Sequence, residues 1–96
     1  MFLISITYTA PLDIVDLHRA DHRDWLDRGI ADGWLLLAGP LEPRTGGVLL
    51  AQGTAEQLRE KAASDPFVVR GVATFELTEF VAVKAAPGIT LESLLA

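Results

Sequence analysis

The sequence predicts an α+β fold, a four-stranded antiparallel sheet with two helices on one face, and three observations predict it. The hydrophobic period changes along the chain in the order strand, helix, strand, strand, helix, strand. Proline or glycine stands at most of the switches, where the chain must turn. The 96 residues give room for one small domain over 1–96, and no repeat, low-complexity tract or linker divides them. That order is the split βαβ arrangement, in which the helices cover a single sheet face.

From Phe2 to Thr9, Phe2, Ile4, Ile6 and Tyr8 alternate with Leu3, Ser5, Thr7 and Thr9. This is the period of a strand buried more heavily on one side, and Pro11 stops it. Leu12 to Asp32 reads as one helix ended by Gly33. Trp34 to Leu41 is a second strand, followed by a turn rich in Pro40, Pro43, Gly46 and Gly47 and by a third strand, Val48 to Ala51. Thr54 opens the second helix with Gln57 three residues on, a capping box, and the helix should end near Ser64. Asp65 followed by Pro66 has the form of an N-cap and a first helical residue, which predicts a short helical turn. Val72 to Lys84 is rich in β-branched and aromatic residues and forms the last strand. Its apolar parity shifts between Leu77 and Phe80, which predicts a bulge there or a handover to interchain pairing. An Ala-Pro-Gly break then leads to a helical turn over Leu91 to Ala96.

Half of the residues are hydrophobic and a further eight are glycine, whereas a usual domain is roughly 45–50% apolar with glycine included. A small domain buries only about 60–65% of its unfolded surface, so the excess should press onto an interface. The strands show where. Trp34, Leu36 and Ala38 face one way and Leu35 and Leu37 the other, and Leu49 and Ala51 oppose Val48 and Leu50. Both sheet faces are apolar while the helices cover one, which predicts a homodimer through the free sheet faces.

The net charge of −5 and the scattered Lys and Arg argue against a nucleic-acid partner, because phosphate recognition needs clustered positive charge. No run approaches the ~18 apolar residues of a membrane span, and the first residues lack the pattern of a signal peptide, so no membrane partner and a cytoplasmic location are expected. The absence of cysteine excludes disulfides, iron–sulfur clusters, thiol nucleophiles and Cys-based zinc sites.

A wheel at about 100° per residue places Ile14, Trp25, Leu26 and Gly29 on one stripe of the first helix, with His18 and His22 inside it and Asp13, Asp16, Asp24 and Asp27 opposite. An imidazole in an apolar stripe needs hydrogen-bond partners, and is then either a structural contact or a working acid and base. The i, i+4 spacing also fits a metal-binding helix. Arg19 stands where the metalloprotease pattern has Glu, however, and no third histidine completes a site, so no metal is expected. Asp65 either caps the turn after helix two or, facing a cleft, reaches His22 and fixes its tautomer. Glu42, Glu76 and Glu79 are weaker acids for this role. Gly46-Gly47 precedes a strand rather than a helix and makes no phosphate cradle, and no serine has the flanking glycines of a nucleophile elbow.

His22-Arg23-Asp24-Trp25-Leu26, Gly33-Trp34-Leu35, Ala38-Gly39-Pro40, Gly46-Gly47 and Asp65-Pro66-Phe67, in that order and spacing, resemble the YciI-like family, the YCII-related domain. The resemblance implies a ferredoxin-like βαββαβ fold assembled as a dimeric α+β barrel. It also implies a His and Asp pair in a pocket, which falls on His22 and Asp65. One enzymatic relative removes chloride from a chlorinated hydroxyquinol with such a pair and without a cofactor; many others have no established reaction. His18 has no counterpart in the family and reads as a wall or structural residue. Arg19, toward the stripe's edge, is either a surface residue or a partner for an anionic small molecule, and Trp25 and Phe67 stand where they line or fill a pocket.

Two functions remain open on these residues. One is a cofactor-free lyase, isomerase or dehydrochlorinase-like enzyme acting on a small acidic or aromatic metabolite. The other is a non-catalytic dimeric ligand-binding or accessory module. Haem chemistry, known on the same broad fold, finds no further support among seven aromatic residues.

Overall fold

The computed structural model describes residues 1–89, so the helical turn expected over Leu91 to Ala96 lies outside the described residues. The elements are β1 (Phe2–Tyr8), α1 (Leu12–Asp16), α2 (Arg19–Asp32), β2 (Leu35–Pro40), β3 (Gly46–Ala51), α3 (Ala55–Ala63), α4 (Pro66–Val69) and β4 (Ala73–Glu79). The strands form one antiparallel sheet in the order β2-β3-β1-β4, the ferredoxin-like arrangement. The first expected helix comes in two pieces, while α3 and the short α4 match the second helix and the helical turn expected after it. Among the described residues, no helix is long and apolar enough to cross a membrane.

The alternation in β1 works as expected because β1 is central. Phe2, Ile4 and Ile6 are almost wholly buried beneath the helices, with Ala51 and Leu49 of β3 beside them in register. Burying each such large side chain contributes roughly 1.5–3 kcal/mol. Val15, Trp25, Leu58, Ala62 and Phe67 close the same core from the helical layer. The Thr54 and Gln57 capping box is formed in full, and Asp65 caps α4 with Pro66 as its first residue. Gly33 ends α2 with φ +87°, a conformation that glycine adopts without steric cost.

Three expectations are corrected. The single helix Leu12 to Asp32 breaks at Leu17 and His18, whose amides bond back three residues, to Ile14 and Val15. These tighter bonds change the helical phase, so Ile14, which the wheel placed on the buried stripe, is 40% exposed. No glycine or proline announces the break. The last strand ends at Glu79 rather than Lys84, and its pairing with β1 runs without irregularity from Ala73 to Glu79. Of the two alternatives expected near Leu77 to Phe80, a bulge or a handover to interchain pairing, the bulge is therefore absent over these residues. The register shift lies instead in β2, between Leu35 and Leu37.

That shift puts Leu35 and Leu37, expected on one face of β2, on opposite faces. Leu35 pairs with buried Ala51 on the helix side, and Leu37 pairs with Leu50 on the other. The face without helices therefore carries Leu3, Leu37, Val48 and Leu50 toward β2 and β3, and Thr74, Glu76 and Thr78 toward β4. Beyond β4, Phe80, Val81 and Val83 are exposed beside Leu50.

Candidate functional site

The site is built where α2 meets the junction of α3 and α4. Two hydrogen bonds join them one helical turn apart on α2. The Nε1–H of Trp25 donates to Oγ of Ser64 at 3.0 Å, and the Ser64 hydroxyl donates to the carbonyl of Lys61. One turn earlier, Nδ1 of His22 lies 2.7 Å from Oδ1 of Asp65. The same Oδ1 accepts the backbone N–H of Phe67 at 3.0 Å. Capping the helix thus aims Asp65, and the cap makes its Oδ1 an acceptor. Nδ1 of His22 therefore carries the hydrogen, and Nε2 is the ring nitrogen left with a lone pair.

The imidazole is fixed on its faces as well. Phe67 stacks on it with centroids 4.0 Å apart and planes 12° from parallel, and Trp25 lies at 5.9 Å. The Asp65 side chain is fully buried and that of His22 is 15% exposed. Asp65 Oδ2 has no hydrogen-bond partner among the described residues. A carboxylate buried this deeply has lost its water, so removing the N–H of His22, its one side-chain hydrogen-bond donor among the described residues, would leave it poorly satisfied.

A cavity of about 100 Å³ opens beside the pair. Its floor is the sheet, with Ile6, Tyr8, Ala38, Gly39, Gly47 and Leu49. Arg19, His22, Arg23 and Leu26, which share one face of α2, make a wall with Phe67, and Pro40 and Arg44 of the β2–β3 turn complete the rim. Of the residues expected at a site, Arg19, His22 and Phe67 line this cavity directly. Asp65 and Trp25 stand behind His22. His18 sits half-buried in the break before α2 and is outside the lining.

Sequence reasoning did not find Arg44 or Tyr8. Arg44 is bound to Asp16 of α1 through both terminal nitrogens, and its guanidinium lies 5.7 Å from the centre of the Tyr8 ring. Twenty-eight residues separate Arg44 from Asp16, so no local pattern could have joined them. The Asp16 carboxylate, and after it the Tyr8 hydroxyl, push the Arg44 guanidinium further above its ordinary range. Arg44 in turn holds the Asp16 carboxyl below its usual 3.8. The bridge is therefore complete above that ordinary value and is released as pH falls through the lowered one. Arg23 was visible only as part of a matching segment, although its place one turn after Arg19 puts both on the cavity side of α2. Among the described residues, no three His, Cys, Asp or Glu side chains gather as metal ligands would.

A ferredoxin-like sheet, one covered face and an imidazole held by a buried carboxylate at a cavity define the class of protein. The chain belongs to the YCII-related domain family, which matches residues 1–81. Among solved structures, the chain is similar to 5-chloro-2-hydroxyhydroquinone dehydrochlorinase from Burkholderia phenoliruptrix in complex with 2,5-dihydroxybenzoquinone. The identity is 17%, the TM-score is 0.69, and the alignment covers 83% of this chain and 93% of that one. At this identity the likeness speaks for the fold alone. No curated protein matches the sequence.

Proposed function

We propose that the chain is a cofactor-free acid–base enzyme of lyase, isomerase or dehydrochlorinase type, working as a cytoplasmic homodimer on a small acidic or aromatic molecule. The observation that carries this reading is the 2.7 Å contact of His22 Nδ1 with fully buried Asp65 at the edge of a cavity. In this arrangement Nε2 takes a proton from a phenol or enol, and Asp65 orients the ring and stabilises the imidazolium that forms. Phe67 keeps the ring from turning away from the substrate. In a dehydrochlorination the proton goes to His22 and chloride leaves to solvent. One hydroxyl proton is first passed through His22 to the chlorine-bearing carbon, giving the keto tautomer with its first C=O. Loss of a second hydroxyl proton to His22 then forms the other C=O, the ring double bond shifts, and the carbon–chlorine electron pair departs with chloride, so HCl is lost overall and no outside oxidant is consumed. The dehydrochlorinase with the similar fold, and the quinone bound to it, suggest chlorinated hydroxyquinols as first substrates.

The test is chloride release from a chlorinated hydroxyquinol, together with deuterium wash-in at the carbon beside the hydroxyl or carbonyl of small cyclic enols. Release or wash-in above the buffer rate is expected. A second reading is favoured by the two hydrogen bonds that staple α2 to α3 and α4, since they would equally hold a binding module together. Binding of 2,5-dihydroxybenzoquinone with neither reaction would establish that reading instead.

The homodimer rests on the uncovered face, where Leu3, Leu37, Val48 and Leu50 form an apolar patch of the kind that marks an interaction surface. Sedimentation at micromolar concentration is expected to show twice the 10.4 kDa chain mass. Leu50→Glu, which places a charge in that patch, is expected to yield a folded monomer; a wild-type protein sedimenting as a monomer removes the proposal.

A further inference from the structure

We propose that the ligand of this cavity carries a carboxylate, received by Arg19 and Arg23 with Arg44 also at the rim, while the part of its ring that exchanges a proton lies against His22. The inference deepens the proposed function by naming the substrate class, small ring carboxylic acids rather than neutral phenols, and it rests on the cavity being the ligand site.

The chain as a whole is acidic, with 13 carboxylate residues against eight Lys and Arg. Around the cavity the balance is inverted. Arg19, Arg23 and Arg44 all line it, and no Asp or Glu does. Arg19 and Arg23 stand four residues apart on one face of α2, where like charges destabilise a helix. Neither has a carboxylate within ion-pair distance among the described residues. The many aspartates of the same helix would allow pairing, yet these two guanidiniums are turned to the cavity. A repulsive pair kept beside an apolar hollow is stabilised when an anion enters between them.

Arg44 supplies a different property. Asp16 and the Tyr8 ring hold it in place before any ligand arrives, so little side-chain freedom remains to be lost when it meets an anion. Its charge is already partly balanced by Asp16, which leaves Arg19 and Arg23 as the stronger attraction. Planar, forked guanidiniums suit a carboxylate, which can accept two parallel hydrogen bonds from each. The remaining lining is apolar and flat, with the Phe67 ring on one side and Gly39 and Gly47 beneath, and this suits a ring.

The experiment compares 2,5-dihydroxybenzoate, its methyl ester and hydroquinone by titration calorimetry on the full chain. The acid is expected to bind about tenfold or more tightly than the ester, since each lost charge-assisted hydrogen bond weakens binding by about that factor. This advantage should shrink as salt is raised. Arg23→Gln is expected to remove most of it while leaving ester binding unchanged, and Arg23→Lys to restore part of it. Equal binding of acid and ester, an Arg23→Gln variant that weakens both alike, or no binding of the acid at millimolar concentration would each overturn the inference. The two proposals fail separately. Arginine-dependent binding without turnover would remove catalysis alone, and turnover of neutral phenols with equal binding of acid and ester would remove the carboxylate alone.

Discussion

His22→Asn is expected to lower chloride release or deuterium wash-in by about 10²–10⁴-fold, the usual contribution of a positioned general base. The substitution is chosen for its geometry. The asparagine amide nitrogen replaces Nδ1 and can still donate to Oδ1 of Asp65, so the buried carboxylate keeps a partner besides the Phe67 amide. What disappears is Nε2, the only imidazole nitrogen not engaged by Asp65. Stacking on Phe67 and Trp25 is also lost, at a cost of about 0.5–1.5 kcal/mol in stability. Binding of 2,5-dihydroxybenzoquinone should change little, because the arginines and the apolar floor remain. A variant that retained the wild-type rate would show that His22 moves no proton, and the hydrogen bond to Asp65 would then be structural only.

Gly46→Ala is expected to prevent folding, whereas Gly39→Ala on the neighbouring strand should cost less than about 1 kcal/mol. A Cβ at Gly46 would stand 1.9 Å from the carbonyl oxygen of Ile6 and 3.2 Å from the Cα of Thr7. Both obstacles are backbone of β1, and β1 cannot retreat because β4 is paired to its other side over seven residues. Relief would require breaking the β1–β3 ladder at the floor of the cavity. The loss would exceed about 4–5 kcal/mol in a domain whose stability is of order 5–15 kcal/mol. At Gly39 nothing lies within 4 Å of the added atom. Urea unfolding followed by far-ultraviolet circular dichroism separates the two; similar midpoints would mean that β1 and β3 do not approach so closely.

The site was legible in pieces of unequal kind. The wheel put His22 inward, and the Asp65-Pro66 pair read as a helix cap, yet neither pattern says that the two side chains meet across 43 residues. The residues offered that meeting as one of two alternatives for Asp65, and the family resemblance favoured it. His18, which shared the wheel's stripe, is separated from the cavity because the helix breaks beneath it. Arg44 lay in a turn read only for its prolines and glycines, and its role at the rim depends on α1 passing close enough to offer Asp16.

By itself the sequence determined the strand and helix order, the burial of alternate residues in β1, the capping box at Thr54 and the glycine stop at Gly33. These depend on residues a few positions apart, and side-chain spacing and backbone preference act over that range. The tertiary structure decided the break at Leu17 and His18, the register shift in β2 and the collection of three arginines around one cavity. Each of these is a compromise between segments far apart in the chain. The phase of α2 is set by what packs beneath it, and the register of β2 is set by whether Leu35 or Leu36 pairs with Ala51. The apolar excess in the composition could be assigned to both sheet faces, but only the register shift shows that Leu37 rather than Leu36 joins Leu50 on the face without helices.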